Sequence, residues 1–264
     1  VVCERHVYIT LLRQAGILEQ WFSNEKKKNT VFTLLKSVSQ DLDTEDIAFI
    51  KKHSFMNEED DKKFMDCFSF DFSRESDEMF ELRMLFYNRY PAWSLMKHLD
   101  FNAGMKYCKT RMIKIISFWL KNKIALKEKN VYQYEENLRI EAYSYSAKEG
   151  KFILNELLQY IPLLDADELY LSDWSDCLYV HKNLERTAVE LLKKANIAII
   201  SATPEVFWKY YSPYMGKNYA IFNELILHGF QFLPESYSNQ VVEYLTGGFD
   251  KKVFNRTSRA KDQL

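Results

Sequence analysis

The stretch 79-MFELRMLFY-87 decides the fold class, because its apolar residues recur every three or four positions. This spacing puts them on one face of an α-helix, whereas a half-buried strand would show strict alternation. Stretches with the same spacing recur along the chain, at 8–22, 31–38, 47–50, 105–119, 152–160, 184–192 and 219–226. The sequence therefore predicts a chain built mainly from amphipathic helices.

Glycine and proline are scarce, with seven and five residues among 264. Sandwiches, barrels and nucleotide-binding α/β folds need glycine for turns and phosphate loops, whereas packed helices need few. A helix of about ten to twenty residues, a short break and another helix recur throughout, without a fixed period. We therefore predict an all-α, solenoid-like array of helical hairpins that forms one helical-repeat domain over 1–264.

One region fits this pattern less well. The stretch 168-ELYLS-172 alternates like a short strand, and 197-IAII-200 could form a buried strand after a helix. An alternative therefore stays open, in which a mostly α chain carries a small α/β insertion at 165–201.

The charge balance and the short apolar runs argue against nucleic acid and a membrane as partners. Lys and Arg number 36 against 37 Asp and Glu, so no overall basic field would attract nucleic acid. Apolar runs such as 197–200 fall far short of the roughly 18 residues that a membrane span needs, so we expect no membrane partner.

Cysteines are scattered, at Cys3, Cys67, Cys108 and Cys177. Such spacing is typical of reduced thiols in a cytoplasmic protein.

No motif predicts catalysis or cofactor binding. Neither common glycine-rich phosphate loop occurs, and Gly247–Gly248 is typical of a helix end. Cys177 and His181 have the spacing of half a metal site, but no second pair accompanies them. The acidic run 165–176 lacks the residue pattern of a helix-loop-helix calcium site. We therefore predict no catalytic, cofactor-binding or metal residues and no cofactor.

The densest aromatic patch is 206-VFWKYY-211, which is apolar nearly all round if it is helical. Either neighbouring helices cover it on both sides, or Trp208, Tyr210 and Tyr211 form a ridge that binds a partner protein. Stacking of single-stranded bases beside Lys209 is a further possibility. Trp208, Tyr210 and Tyr211 are the candidate partner-binding residues.

The last stretch, 239-NQVVEYLTGGFDKKVFNRTSRAKDQL-264, has a helix ending at 241–245, a short turn, Phe254-Asn255 and a Thr257-Ser258 helix start. It resembles the helical-repeat regions of large bacterial STAND-type ATPases, including antiviral NTPases of the AVAST group. The resemblance implies that the ATPase engine lies outside this piece and that the piece is scaffold or sensor. Because both ends of the sequence are abrupt, we expect it to be excised from a larger multidomain bacterial protein.

The expected function is protein recognition or scaffolding. Its partner would be another protein or the rest of the parent chain, and a homo-oligomer is a further option. One alternative is an enzyme domain whose active site combines acids of 165–176 with His181. Another is a nucleic-acid-binding helical array, which predicts a continuous Lys/Arg stripe on one face.

Overall fold

A computed structural model describes residues 4–39, 42–68, 75–95, 101–122, 143–160, 162, 184–215 and 220–246. These residues form thirteen α-helices and four 3₁₀ helices, and none of them lies in a strand. The predicted all-α fold is therefore confirmed for the described part of the chain. The chain divides into two compact units, Val1–Tyr107 and Cys108–Leu264. A solenoid-like array and a single continuous domain stay predictions.

The described residues of the first unit, unit 1, form seven α-helices. They are α1 (Glu4–Gln14), α2 (Ile17–Phe22), α3 (Glu25–Ser37), α4 (Thr44–His53), α5 (Glu58–Met65), α6 (Asp77–Arg89) and α7 (Phe101–Tyr107). Side-chain caps define four of the helix starts, at Asn24, Asp43, Asn57 and Ser76. Each cap accepts a hydrogen bond from a first-turn backbone N–H that would otherwise lack a partner.

Four phenylalanine rings form the centre of unit 1, one from each of helices α2 to α5. The ring centroid of Phe22 lies 5.8 Å from that of Phe32, 5.5 Å from that of Phe49 and 5.6 Å from that of Phe64. Edge-to-face and stacked pairs at these separations stabilise the core beyond the area they bury. Four consecutive helices therefore pack around one aromatic cluster.

The described residues of the second unit, unit 2, form six α-helices. They are α8 (Lys109–Lys121), α9 (Ala147–Leu157), α10 (Leu184–Ala202), α11 (Pro204–Tyr211), α12 (Ala220–Phe230) and α13 (Ser238–Thr246). Helix α10 packs against α8, α9, α11 and α12. Gly150 lets α9 approach α10 closely, because a Cβ there would lie 3.0 Å from the carbonyl oxygen of Ala195.

The 197–200 stretch lies within the last turns of α10 and is therefore helical. The alternative that placed a strand there is wrong for these residues, because Ile199 and Ile200 are buried on a helix whose apolar face continues from Ala188. The other predicted strand, 168–172, lies outside the described residues.

Two further sequence predictions concern membranes and thiols. Within the described part of the chain, no helix has both the length and the apolar character that a bilayer crossing requires. Cys67, which is buried, and Cys108 form no disulfide with each other, and they are the two cysteines within the described residues. Cys3 and Cys177 lie outside the described residues.

Candidate interaction surface

Helix α1 carries apolar side chains on two adjoining faces, one buried and one exposed. Ile9 and Leu12 point into unit 1, with exposed fractions of 0% and 7%. Val7, Tyr8 and Leu11 keep 48%, 48% and 58% of their surface exposed. Because residues three and four apart are neighbours on a helix, these three side chains form one outward strip, which we call the α1 strip.

An ionic cluster ties the last turn of α1 to the first turn of α4. Arg13 Nη2 lies 2.9 Å from Asp43 Oδ2, and Arg13 Nη1 lies 3.2 Å from Asp43 Oδ1. Arg13 Nη1 also donates to Asp46, whose side chain is fully buried. Glu45 Oε2 lies 2.8 Å from Arg13 Nε. Helix α1 is therefore held on α4 by a largely buried arginine with three carboxylates around it.

The two capping carboxylates of this cluster differ in acidity. Burial alone would raise the pKa of Asp43, but the backbone N–H of Asp46 and the Arg13 guanidinium outweigh it and hold this pKa below its usual value. Burial and the negative charge of Asp43 raise the pKa of Asp46. Asp43 is therefore the stronger acid, and it carries the negative charge that faces Arg13.

The same cluster is the one group with metal-ligand geometry among the described residues. His6, Asp43 and Asp46 offer ligand atoms within 4.8 Å of one another, and His6 Nε2 lies 3.6 Å from Asp43 Oδ2. However, the Arg13 cation already binds both carboxylates and would repel a metal ion. His6 Nδ1 is buried without a hydrogen-bond partner, so it lacks the outer contact that orients a metal-binding imidazole. The cluster is better explained as a link between two helices.

The predicted partner-binding residues lie on α11, and the structure separates them. Tyr211 is fully buried, and its hydroxyl donates to Asn196 Oδ1 at 2.9 Å. Burial raises the pKa of Tyr211 well above its ordinary value. Because Tyr211 has no exposed surface, it contributes to the core of unit 2.

Trp208 and Tyr210 are half-buried and keep some surface. The Trp208 ring centroid lies 5.4 Å from that of Phe230, and the Tyr210 hydroxyl donates to Asn155 Oδ1 at 2.8 Å. Both therefore contact neighbouring helices while remaining partly open to solvent. Partner binding through Trp208 and Tyr210 stays a prediction. The residues of the enzyme alternative, 165–176 and His181, lie outside the described residues.

The sequence did contain a signal for the α1 strip. Apolar residues occupy positions 7, 8, 9, 11 and 12, which is more than one helix face can bury. The spacing at 8–22 predicts one continuous helical stripe, but Gly16 interrupts it in a left-handed conformation with φ 69°. This break separates α1 from α2.

Comparisons with protein-family models, with curated proteins and with solved structures give no match for this chain. Its function is therefore argued from its own residues.

Proposed function

We propose that this chain is a helical protein-recognition domain that binds a helix of a partner protein along the α1 strip. The observation that carries the proposal is the exposure of Val7, Tyr8 and Leu11 on a helix whose adjoining apolar face is already buried. Surface helices of globular proteins normally expose polar residues on that side. A contiguous apolar strip at helical spacing is the pattern through which one helix packs against another.

The chemistry of the strip suits protein binding. Tyrosine is enriched among the residues that dominate binding energies, because its ring buries a large area and its hydroxyl stays satisfied at the wet edge. Val7 and Leu11, four residues apart, add aliphatic area beside Tyr8. The exposed charges of Glu4 and Arg5 lie at the start of the same helix and would form a polar rim.

The ionic cluster supports the proposal by fixing α1 before a partner arrives. Arg13 links α1 to Asp43 and Asp46 of α4, so the strip is presented on a helix that already has its own support. A preorganised surface loses less conformational freedom on binding, which leaves more of the contact energy as affinity.

Charge pairing favours protein over nucleic acid as the partner. Basic side chains in both units pair with acids, as for Lys28 with Asp60, Lys109 with Glu149, and Lys193 with Glu224. A lysine neutralised in this way releases few phosphate counterions when nucleic acid binds, so it contributes little affinity.

We place this domain in the cytoplasm, as scaffold or sensor within a larger bacterial protein of the STAND ATPase type. The resemblance of residues 239–264 supports the parent class, and the scattered spacing of the four cysteines supports the location. The helix that binds the α1 strip would then belong to the parent chain or to a protein that it senses.

The test is site-specific photocrosslinking in the cell of origin. A photoreactive residue replaces Leu11 in one variant and Lys36, an exposed residue of α3, in a matched control. We expect a discrete crosslinked product at position 11 that is absent at position 36. Adding Tyr8→Asp to the position 11 variant should abolish this product, because a carboxylate in the strip opposes burial.

The proposal fails if position 11 gives no discrete product, or if positions 11 and 36 give the same products. It also fails if the position 11 product survives Tyr8→Asp.

A further inference from the structure

The outward surface of α8 and α9 concentrates positive charge. Helix α8 contains four basic residues and no acidic one. The charged side chains of α8 and α9 that are exposed rather than half-buried are all lysines, at Lys114, Lys121, Lys148 and Lys151. None of these four forms an ion pair within the described part of the chain. The near-neutral charge of the whole chain therefore conceals a local cationic surface.

Two contacts show how α8 and α9 lie beside each other. Lys109 Nζ lies 3.1 Å from Glu149 Oε1, at the start of both helices. About two turns further along each helix, Ser117 Oγ donates to the Glu156 carbonyl at 3.4 Å. The two helices therefore run parallel and side by side. Their apolar faces both pack on α10.

This arrangement brings the four lysines onto one side of the helix pair. With 3.6 residues per turn, Lys114 and Lys121 share one face of α8, about 10 Å apart along its axis. Lys148 and Lys151 share one face of α9, because residues three apart are neighbours on a helix. Both faces point away from the residues that the two helices bury against α10. We call these four residues the lysine surface.

The neutral residues on this side suit contact with phosphate groups. Thr110 of α8 and Asn155 of α9 are exposed beside the lysines. Asn155 Oδ1 accepts from the Tyr210 hydroxyl, which leaves the amide nitrogen as a donor. Lysine, threonine and asparagine side chains are among the donors that bind phosphate oxygens in nucleic-acid complexes, where such contacts carry no sequence information.

The aromatic residues of the two helices limit which nucleic acid fits. Phe118 is buried, and Trp119 and Phe152 are half-buried. Proteins that bind single strands stack the unpaired bases on aromatic rings that are open to them. A duplex instead presents its phosphates, at about one charge per 1.7 Å of axis. The lysine surface therefore matches the backbone of a duplex better than a single strand.

We propose that the lysine surface binds the phosphate backbone of double-stranded nucleic acid without reading its sequence. The acid-paired lysines, such as Lys28 and Lys193, do not contribute, whereas the four lysines of this surface are available to phosphates. The α1 strip belongs to unit 1 and keeps its protein partner. The inference thus adds a second ligand, bound by unit 2, and stands independently of the proposed function.

The first test is fluorescence anisotropy of the full chain with a labelled duplex DNA of about 20 base pairs. We expect a dissociation constant of about 1–100 μM at physiological salt, as is usual for binding that is independent of sequence. Four phosphate contacts predict a slope of about −3.6 for the logarithm of the association constant against that of the salt concentration. A second duplex of unrelated sequence should bind equally well.

The second test uses charge reversal at matched positions. Lys114→Glu with Lys121→Glu should raise the dissociation constant at least about tenfold. Lys26→Glu with Lys36→Glu is the control, because it makes the same change in net charge at two exposed lysines of α3. It should leave binding within about twofold of the unchanged chain. Lys114→Arg with Lys121→Arg should retain binding, and far-UV circular dichroism should show the native fold in all three variants.

The third test distinguishes a duplex from other anionic ligands. Polyglutamate and a single strand of the same sequence compete with the labelled duplex at equal charge concentration. We expect the unlabelled duplex to displace the probe at a concentration at least about fivefold lower than either competitor, because its charge density is higher.

The proposal is overturned if no duplex binds at protein concentrations up to about 100 μM, or if the two charge-reversal variants weaken binding equally. Competition by polyglutamate as effective as that of the duplex would assign the surface to an acidic protein segment. A single strand that competes better than the duplex would also contradict the proposal.

Discussion

The deepest polar side chains of the two units differ in kind. In unit 1, the Arg83 and Glu75 side chains are 0% and 2% exposed and form an ion pair. In unit 2, the fully buried Asn196 donates from Nδ2 to the Leu225 carbonyl at 3.1 Å and accepts from the Tyr211 hydroxyl. A buried charge that loses its partner costs far more than a buried dipole that does. The two units should therefore respond differently to truncation at equivalent depth.

The largest expected effect is at Arg83. Arg83→Met should lower the free energy of unfolding by about 3–5 kcal/mol, because Glu75 stays buried without its cation. Tyr87 also loses the donor that lies 3.0 Å from its hydroxyl. Chemical denaturation measures the loss, and hydrogen exchange should place it in α6. The double variant Arg83→Met with Glu75→Leu should recover much of it, since no charge is then left buried. A double variant as unstable as the single would contradict the assignment.

The next effect is at Asn196, in the neutral network. Asn196→Ala should cost about 2–3 kcal/mol, because the Tyr211 hydroxyl and the Leu225 carbonyl lose partners and a small cavity forms. Asn155→Ala is the matched control, since Asn155 also accepts from a tyrosine hydroxyl but is exposed. In the same denaturation assay, Asn155→Ala should lower the free energy of unfolding by no more than about 0.5 kcal/mol. Equal losses of unfolding free energy at the two asparagines would mean that burial does not determine the size of the loss.

A smaller effect is a dependence of the stability of unit 2 on pH. Burial, together with the positive charges of Lys193 and Lys194, lowers the pKa of His228 to about 4. Between pH 6.5 and about 4 the unfolded chain therefore binds more protons at this site than the folded chain, so stability falls as pH falls. Because the imidazole is only half-buried, we expect a loss of about 1–2 kcal/mol. In His228→Gln, the free energy of unfolding from denaturation curves should depend less on pH across this window. An unchanged slope would rule out His228 as the cause.

The smallest expected effect is on the α1 strip. Leu11→Ser should change the free energy of unfolding by less than about 0.5 kcal/mol, because Leu11 is 58% exposed. The adjacent Leu12→Ser should cost about 2–4 kcal/mol, because Leu12 is 7% exposed. Thermal denaturation of the two variants compares the exposed face of α1 with its buried face. A large loss at Leu11 would show that the strip stabilises unit 1 itself.

Helices were predictable from the sequence because their signal is local. The spacing at 79–87 predicts a helix, and α6 spans Asp77–Arg89. The spacing at 184–192 likewise lies within α10. Helix ends were less accurate. The spacing at 105–119 predicts one stripe, but Cys108, at φ −147° and ψ 54°, separates α7 from α8. No glycine or proline marks that break.

The candidate site could not be predicted in the same way, because its contacts are distant in sequence. Arg13 and Asp43 are 30 residues apart, and each is an ordinary charged residue by itself. Phe55 gives no turn signal, since its left-handed conformation, with φ 68°, depends on a hydrogen bond that its backbone N–H donates to Asp61, six residues later. Contacts of this kind can be identified only from the three-dimensional structure.

The ionic link between α1 and α4 also has a consequence for synthesis on the ribosome. Arg13 and Asp46 are 33 residues apart, so α1 emerges well before its buried partner has been made. At about 5–20 residues per second, this interval lasts about 2–7 s. During that time both apolar faces of α1 are uncovered, and the nascent chain is open to chaperones or to a partner that captures the helix before unit 1 closes.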